Sequence, residues 1–505
     1  MSKTQRMEAD LVSLTAAGQA QIKDSPLMNE DLRPTAADER TWTGYNIASL
    51  WIGMAVCIPT YTLASGLIAA GMNWWQAVMT IILGNLIVLI PLILNAHAGT
   101  RYGIPYPVYA RLWFGAKGAH IPAMLRAIVA AGWFGIQTWI GGSALDVLMT
   151  SMFHGWASVP AHLAIAFLAF WALNVWIGYK GPEAIKFMEA WGAPILIVLG
   201  LGLLFWAWSA AGGFGPMLSA PSKFKTWSEF WPVFFPSLTA MIAFWSTLAL
   251  NIPDFTRYVR SQKAQAWGQI LGLPTTMGLY AFIGVAVTSA TVVIFGKAIW
   301  DPVELMAKFP PLVVFIGTLG IVLATITTNI AANVVAPARS FENLSPRKIT
   351  WGMGVIITGI IGIAMMPWYL LANFANYIFG WLGTYSAFLG PLDGIALADY
   401  WLVRNRLIDM KELYRPGGRY DYEGGFNTRA IVALGVGIVV ALIGKFVPTF
   451  KFLFDNAWAV GLLVTVVIYW ALMQKHQTIL SYQDFADITE GDTTVGAAGR
   501  AVSGD

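Results

Sequence analysis

The sequence has almost no cysteine and very little charge. Cys57 is the single cysteine among 505 residues, so neither an internal disulfide nor a cysteine-based metal cluster can form. Charged residues make up 11% of the chain, against about 25% in soluble proteins. The five histidines show no HExxH or paired-ligand spacing, and no Gly-rich phosphate loop is present. These absences argue against a soluble protein, a nucleotide-driven pump and a membrane enzyme with a titratable or metal centre.

Apolar residues dominate the chain instead. Hydrophobic residues make up 57% of it and the mean hydropathy is +0.61, so most of the surface is expected to face lipid. The 24 tryptophans and 17 tyrosines suit aromatic belts at the two membrane interfaces. About 20 apolar residues cross a bilayer. The sequence therefore predicts an all-α polytopic membrane protein with about twelve spans, near residues 44–70, 74–96, 118–150, 159–179, 187–211, 231–256, 268–296, 311–336, 350–367, 372–400, 430–448 and 455–474.

Lysine and arginine are unevenly divided between the loops that join these spans. With the N terminus inside, most of them fall in the inner loops, which follows the positive-inside rule. Both termini are therefore predicted to be cytoplasmic, in a multi-pass protein of the cytoplasmic (inner) membrane. The predicted parts are a polar tail (1–43) unlike a signal or transit peptide, two repeats (44–211 and 231–400), a cytoplasmic loop (401–429), a last pair of spans (430–474) and a disordered cytoplasmic tail (475–505).

Two stretches of the chain echo each other. LWIGMAVCIPTY (50–61) and FWSTLALNIPDF (244–255) align without a gap, and the shared prolines are Pro59 and Pro253. Proline inside a helix removes a backbone donor and clashes with the preceding turn, so both spans are predicted to break there. Five spans lie between the two stretches, which predicts that the second half is inverted. Paired broken helices are typical of secondary transporters that bind their substrate at the breaks.

The same offset aligns WFGIQTW (133–139) in span three with TTNIAAN (327–333) in span eight. With the two stretches at 50–61 and 244–255, this makes four corresponding segments. The polar and aromatic residues clustered in them are Trp133, Gln137, Trp245, Asn251, Thr327, Thr328, Asn329 and Asn333. Such a set suits a flat, neutral, hydrogen-bonding ligand held between aromatic faces. The threonine hydroxyls, with carbonyls freed at the break in span one, suit a hard cation such as sodium.

Each of these residues also has a purely structural interpretation. The tryptophans can be packing or belt residues, the amides can join helices, and the threonines can bond to their own preceding turn. Among the charged residues within or at the ends of spans, Arg126 is expected on a protein-facing or headgroup-level surface. Four carboxylates are interpreted as structural or gating groups; they are Asp146, Asp254, Asp393 and Asp399.

Five motifs together resemble the nucleobase–cation symporter-1 family: WIGMAVCIPTY, GWFGIQTWIGG, FWSTLALNIPDFTRY, ATITTNIAANVVAP and LGPLDGIALADYWLVRNR. The resemblance covers residues 32–475. It implies a transporter rather than an enzyme, with a five-plus-five inverted repeat like that of the leucine transporter. It also implies a ring clamp of Trp133 and Trp245, amide contacts from Gln137 and Asn333, and a sodium site at Gly53, Val56, Ala324, Thr327 and Thr328.

This chain departs from the hydantoin-transporting member at two positions. Cys57 replaces a glutamine and Phe244 replaces a glycine, so both are expected beside the substrate in a reshaped pocket. The runs GMNWWQ and GVAVTSAT look more like the plant nucleobase transporter. The predicted function is import of a nucleobase, with uracil first and allantoin or hydantoin second, by symport with Na⁺ or H⁺. A monomer in the bilayer, with no cofactor and no nucleic-acid partner, is expected; a channel or a membrane enzyme is the alternative.

Overall fold

Helices account for 76% of the described residues, as expected where lipid offers no partner to backbone polar groups. The computed structural model describes residues 10–180, 182–345, 348–476, 480, 484 and 488–490. In the first half of the chain the helices are α1 (Ala16–Ile22), α2 (Gly44–Ala55), α3 (Ile58–Ala69), α4 (Trp74–Tyr102), α5 (Tyr106–Phe114), α6 (His120–Met152), α7 (His162–Tyr179), α8 (Pro182–Ala210) and α9 (Phe214–Met217).

The second half begins with α10 (Trp227–Asn251), α11 (Pro253–Thr256), α12 (Gln262–Phe295), α13 (Pro302–Met306), α14 (Pro311–Asn333), α15 (Val335–Leu344), α16 (Trp351–Ala364) and α17 (Pro367–Leu370). It ends with α18 (Gly383–Leu397), which π-helical turns extend on both sides (Asn376–Leu382 and Ala398–Val403), then α19 (Thr428–Phe446), α20 (Lys451–Asp455) and α21 (Ala457–Met473). Two short strands, β1 (Val12–Leu14) and β2 (Ile488–Glu490), pair antiparallel.

Each of the twelve predicted spans coincides with helical structure. By length and composition, eight helices in the described part of the chain are able to cross a membrane, and the bent pair α2 and α3 makes a ninth. Other apolar helices, such as Trp351–Ala364, are shorter. The all-α membrane fold is confirmed, while the count of twelve crossings stays a prediction.

The predicted break in span one is present. Helices α2 and α3 meet at an angle of 60°, and Pro59 lies in the first turn of α3. The amide of Cys57 donates to the Ala55 carbonyl (3.0 Å) and that of Thr60 to the Cys57 carbonyl (3.1 Å). In a continuous helix these amides would donate to the carbonyls of Gly53 and Val56. The break therefore directs these two amides to other acceptors and leaves the carbonyls of Gly53 and Val56 without their helical donors.

The predicted break in span six lies at the end of the span. Helix α10 runs unbroken to Asn251, and Pro253 opens the one-turn helix α11 at the end of the span. Proline leaves the Ala249 carbonyl, four residues earlier, without its helical donor. The side-chain amide of Asn95 on α4 donates to that carbonyl at 2.9 Å. A neighbouring helix thus satisfies the carbonyl, and the proline ends the helix without opening its middle.

The N-terminal segment (10–43) is folded against one end of the helix bundle, which we call the N-terminal side. Buried Arg40 is its anchor: the guanidinium donates to the carbonyls of Val12, Thr35, Thr100 and Arg101 at 2.6–3.1 Å. Strand β1 of this segment pairs with β2 from the C-terminal tail. Most of the predicted disordered tail lies outside the described residues, but its residues 488–490 are ordered as a strand.

Candidate functional site

Trp133 on α6 and Trp245 on α10 meet at one aromatic cluster. Each ring contacts Phe244 edge-on, with centroid distances of 5.1 Å for Trp133 and 5.0 Å for Trp245. Trp51 of α2 packs against Trp245 at 5.2 Å, also nearly perpendicular. Both predicted clamp residues are buried, at 6% and 5% exposure. The structure therefore brings the two tryptophans together through Phe244, a third residue predicted at the site.

The aromatic wall contains three further residues that the sequence did not single out. Tyr377, Trp381 and Tyr385 surround Trp133, with centroid distances of 6.1, 6.4 and 6.5 Å. Tyr385 also donates a hydrogen bond to the Ala243 carbonyl at 2.9 Å, which joins α18 to α10. Their spacing of four residues places them on one helix face. That regular spacing is the signal in the sequence from which they could have been identified.

The predicted amides lie on the paired helices α6 and α14, which pack along each other. Asn333 donates to the Asn329 side chain at 3.1 Å. Asn329 donates in turn to the Thr138 hydroxyl (3.1 Å) and the Phe134 carbonyl (3.3 Å) of α6. Gln137 is the neighbour of Thr138 and is 4% exposed. Asn329 thus has a helix-joining role, and it brings the segments carrying Gln137 and Asn333 together.

Several buried polar atoms in this region lack hydrogen-bond partners among the described residues. They include Oε1 of Gln137, an acceptor, the indole donors Nε1 of Trp51, Trp245 and Trp381, and the Tyr377 hydroxyl. Leaving a buried polar group unpaired costs about 1–3 kcal/mol, so a ligand that pairs with such groups gains free energy of binding. An acceptor and a donor beside aromatic rings complement a cyclic amide, which offers both N–H and C=O groups.

The predicted cation ligands come from the break in span one and from α14, which packs against α2. The carbonyls of Gly53 and Val56 are those whose helical donors are redirected, and Ala324, Thr327 and Thr328 are buried on α14. Carbonyl and hydroxyl oxygens are the donor set that a hard cation prefers. The Thr327 hydroxyl, however, donates to the Ala324 carbonyl at 2.8 Å. Thr327 therefore bonds to the preceding turn of its own helix, as its purely structural interpretation predicts. The carbonyl that it bonds to, that of Ala324, is itself one of the predicted cation ligands.

Cys57 lies within the break itself. It is the residue before α3, in an extended conformation and 3% exposed. Its sulfur lies 3.3 Å from the Thr60 hydroxyl, within hydrogen-bond distance. The thiol thus has a local partner in the first turn of α3, and its contact with substrate stays a prediction.

A cavity of about 370 Å³ lies next to the aromatic cluster and extends to the N-terminal side. Met54 and Leu248 line it near the break, while Asn29 of the N-terminal segment lines its far end. None of the predicted substrate contacts is among its lining residues. Buried Arg126 and half-buried Asp254 do line it. The aromatic cluster is therefore closed off from this cavity.

Among the charged residues within or at the ends of the spans, Arg126 has two guanidinium nitrogens without a hydrogen-bond partner among the described residues, whereas the carboxylates tie elements together. Arg126 lies inside the protein at 3% exposure. Asp254 accepts from the Tyr106 amide (2.7 Å) and from Asn251 (3.2 Å), which connects α11 to α5.

The other three carboxylates also join different segments of the chain. Asp146 accepts from Trp156 and His162, Asp393 from Asn95 and Trp458, and Asp399 from Arg404 and Tyr469, at 2.6–3.3 Å. These contacts agree with a structural role.

The broken helix, the packed polar helices and the membrane-length bundle define a multi-pass membrane permease. Residues 34–461 match the family model described as "Permease for cytosine/purines, uracil, thiamine, allantoin". The chain belongs to this family, the nucleobase–cation symporter-1 family, as its motifs predict. The prediction that it is not an enzyme is likewise confirmed.

Similar proteins agree with this assignment. The chain is 44% identical to the purine-uracil permease NCS1 of Arabidopsis thaliana, over 90% of this chain and 78% of that protein. It is 42% identical to the allantoin permease of Bacillus subtilis, over 91% and 95%.

The solved structure "Inward facing conformation of Mhp1" matches at TM-score 0.77 and 26% identity, over 89% of this chain and 94% of that one. A closed conformation of Mhp1 with bromovinylhydantoin bound matches at TM-score 0.74 and 26% identity, over 91% and 99%. The leucine-transporter-like fold is thereby confirmed.

Proposed function

We propose that this protein imports a nucleobase, with uracil as the first substrate, by symport with Na⁺ or H⁺. The observation that carries the proposal is the pair of buried, unpaired groups on Gln137 and Trp245 beside the aromatic cluster. A uracil ring is flat and carries both N–H and C=O groups. The similarity to the purine-uracil permease of Arabidopsis thaliana supports this choice.

In this proposal Trp133 and Trp245 hold the faces of the ring. Because Phe244 contacts both tryptophans, its side chain must rotate or shift for the ring to enter. Gln137 then accepts from a ring N–H, and Asn333 bonds to the ring once it turns away from Asn329. Pairing these groups removes the cost of burying them unpaired.

The coupling cation binds the carbonyls of Gly53, Val56 and Ala324 and the hydroxyls of Thr327 and Thr328. Binding requires the Thr327 hydroxyl to direct its oxygen toward the cation. The cation then fastens the broken span to α14, and α14 is bonded to α6 through Asn329. This connection supplies the coupling: cation binding tightens substrate binding, and linkage requires the reciprocal effect.

The N-terminal side is the cytoplasmic side in this proposal, with both termini in the cytoplasm of the inner membrane. The distribution of lysine and arginine over the loops supports that orientation. The 370 Å³ cavity on this side then corresponds to the route by which substrate leaves for the cytoplasm.

Allantoin is the second candidate substrate. The Bacillus subtilis allantoin permease is 42% identical to this chain, close to the 44% of the purine-uracil permease. Allantoin also presents a ring with amide N–H and C=O groups. Its ureide substituent needs more room, which Phe244 restricts.

Transport by the purified protein in liposomes tests the proposal. Radiolabelled uracil and allantoin are offered separately, each with an imposed sodium gradient, proton gradient or neither. Saturable accumulation of uracil against its gradient, dependent on one of the two cations, is the expected result. Accumulation of allantoin alone would transfer the assignment to the second candidate. Equilibration without accumulation under every gradient would contradict symport and favour a channel.

A further inference from the structure

A second cavity, of about 590 Å³, lies between α3, α8, α12, α13 and α14, toward the side opposite the N-terminal segment. Its walls are almost entirely apolar, and Ile58, Leu199 and Ile321 come from three of these helices. At its rim, Val198 and Ile316 are 69% and 55% exposed. In a membrane protein such exposed aliphatic residues face lipid. The cavity therefore opens sideways into the bilayer.

The chemistry of the walls selects a hydrocarbon occupant. The volume is within the range of about 300–1,000 Å³ that is typical of ligand sites. Each methylene buried from water contributes about 0.8 kcal/mol, but lipid is already apolar, so packing contacts between chain and walls must supply the preference. A cleft that encloses one chain from several sides provides more of those contacts than a flat helix surface.

An aromatic and cationic rim marks one end of the cavity. Trp206 and Phe309 line it, and their rings are 4.7 Å apart. Phe295 lies beside Trp206 at 6.3 Å, and the exposed ammonium of Lys308 is 5.9 Å from the Phe295 ring. Tryptophan and lysine together are typical of the headgroup level of a membrane. An ammonium at that level pairs with a lipid phosphate.

We propose that this cavity binds one acyl chain of a glycerophospholipid, with the lipid phosphate at Lys308. The innermost wall includes Ile58 and Tyr61 of α3, immediately after Cys57 in the break. A bound chain therefore braces the second half of the broken span from the lipid side. This proposal concerns a lipid site and does not depend on which substrate or cation is transported.

Gly202 provides a variant that fills the cavity. It lines the cavity, and a Cβ built on it meets no atom within 4 Å, so Gly202→Phe introduces a ring without a clash at the backbone. Gly435 on α19 is the matched control, because a Cβ there also meets nothing within 4 Å and the residue is exposed outside the cavity. Gly435→Phe makes the same change of residue type at another apolar helix. Gly202→Leu is a smaller filling variant for use if the phenylalanine prevents folding.

Photo-crosslinking in nanodiscs tests the site. The probe is a phosphatidylglycerol with a diazirine in one acyl chain, diluted into phosphatidylethanolamine, and labelled peptides are mapped by mass spectrometry. We expect labelling concentrated on residues 196–206 and 313–321. It should be largely lost in Gly202→Phe, because the ring occupies the space of the acyl chain and removes its packing contacts, and stay unchanged in Gly435→Phe. Even labelling of all lipid-facing helices, or undiminished labelling in Gly202→Phe and Gly202→Leu, would overturn the proposal.

A second arm tests the headgroup contact. Lys308→Gln should lower labelling by the phosphatidylglycerol probe and leave labelling by a diacylglycerol probe with the same acyl chains unchanged. Equal labelling by both probes in the wild type would refute the phosphate contact at Lys308. The measurement reports lipid binding without transport, so its failure is distinguishable from failure of the proposed function.

Discussion

At the scale of single residues, Phe244 is the side chain that contacts both tryptophans of the proposed clamp. Its ring contacts both Trp133 and Trp245 and is 7% exposed. The hydantoin-transporting member that the sequence resembles has glycine at this position. Substrate size should therefore depend on this side chain more than on any other residue of the cluster.

Phe244→Ala should widen the pocket and admit substrates with bulky substituents. We expect gain of benzyl-hydantoin binding with retention of uracil binding at lower affinity, measured by competition with radiolabelled uracil. Removing a buried phenylalanine costs about 3–5 kcal/mol of stability, so folding must be verified by chromatography. Phe235→Ala, on the same helix, is the control. Failure of the folded Phe244→Ala protein to bind any larger ligand would show that Phe244 does not limit the pocket.

The cation assignment depends on two hydroxyls that valine removes with little change of shape. Thr327→Val and Thr328→Val should each abolish sodium-stimulated uracil binding if sodium is the coupling ion. Thr318→Val on the same helix is the matched control, because its buried hydroxyl bonds to the Val314 carbonyl of its own helix. Binding measured across a sodium titration provides the test. An unchanged sodium response in both variants would remove these threonines from the cation site.

Asp409 gives a dependence of stability on pH in the loop 401–429. It is 4% exposed, and burial, with the nearby Glu412 charge, raises the pKa of its carboxyl to about 6. The protonated form is favoured in the folded state, so its stabilising effect is complete below about pH 4 and is lost as pH rises through 6. The effect is on the order of 2 kcal/mol. Asp409→Asn should therefore gain in melting temperature relative to wild type between pH 4 and 7.

The control for that comparison is Asp38→Asn, which alters an exposed carboxyl. It should keep the wild-type dependence of melting temperature on pH. If Asp409→Asn ran parallel to wild type over the whole range, the buried carboxyl would not be the source of the dependence.

At the residue level, the repeat in the sequence pointed to positions that lie together in the structure. Trp133 and Trp245 were found because matching segments of the two halves contain them. Tyr377, Trp381 and Tyr385 were missed because membrane helices are apolar on every side, so an aromatic residue on the protein face looks like one on the lipid face. Their spacing of four residues indicates a shared helix face. It does not show that this face points into the protein, because lipid-facing helix surfaces also contain aromatic residues.

At the scale of elements, the two Ile-Pro sequences show what a local pattern leaves open. Pro59 lies at a 60° break, whereas Pro253 follows an unbroken helix. The difference lies partly in Asn95, which donates to the carbonyl that Pro253 leaves without a donor. Asn95 is 154 residues away from Ala249 in sequence. No local rule predicts such a partner, so the sequence did not distinguish the 60° break within span one from the helix end at Pro253.

The N-terminal segment depends on Arg40 for its position. Arg40→Met should leave the carbonyls of Thr100 and Arg101, at the end of α4, without this donor and cost about 3 kcal/mol. Limited proteolysis should then cut the segment several-fold faster than in wild type. Arg33→Met is the control, because its ion pairs with Glu30 and Glu39 are at the surface and contribute little. Equal cleavage rates for wild type and Arg40→Met would contradict this anchoring.

At the scale of the whole molecule, hydropathy predicted the helix bundle well because lipid forces backbone groups into helices. All twelve predicted spans coincide with helical structure. The pairing of β1 with β2 was not predicted. It joins residues 12–14 to residues 488–490, and the sequence of the polar tail shows no pattern that indicates a strand. The cavities were also beyond prediction, because their shape depends on how the helices pack.

The central claim is that Trp133 and Trp245 clamp a flat cyclic amide. Equilibrium binding of radiolabelled uracil and allantoin to Trp133→Ala and Trp245→Ala tests it. Trp139→Ala on α6 and Trp231→Ala on α10 serve as controls, since both side chains are more exposed and lie outside the cluster. We expect affinity for at least one ligand to fall about tenfold or more in both clamp variants and to persist in the controls. Folded clamp variants that bind both ligands as tightly as wild type would contradict the claim.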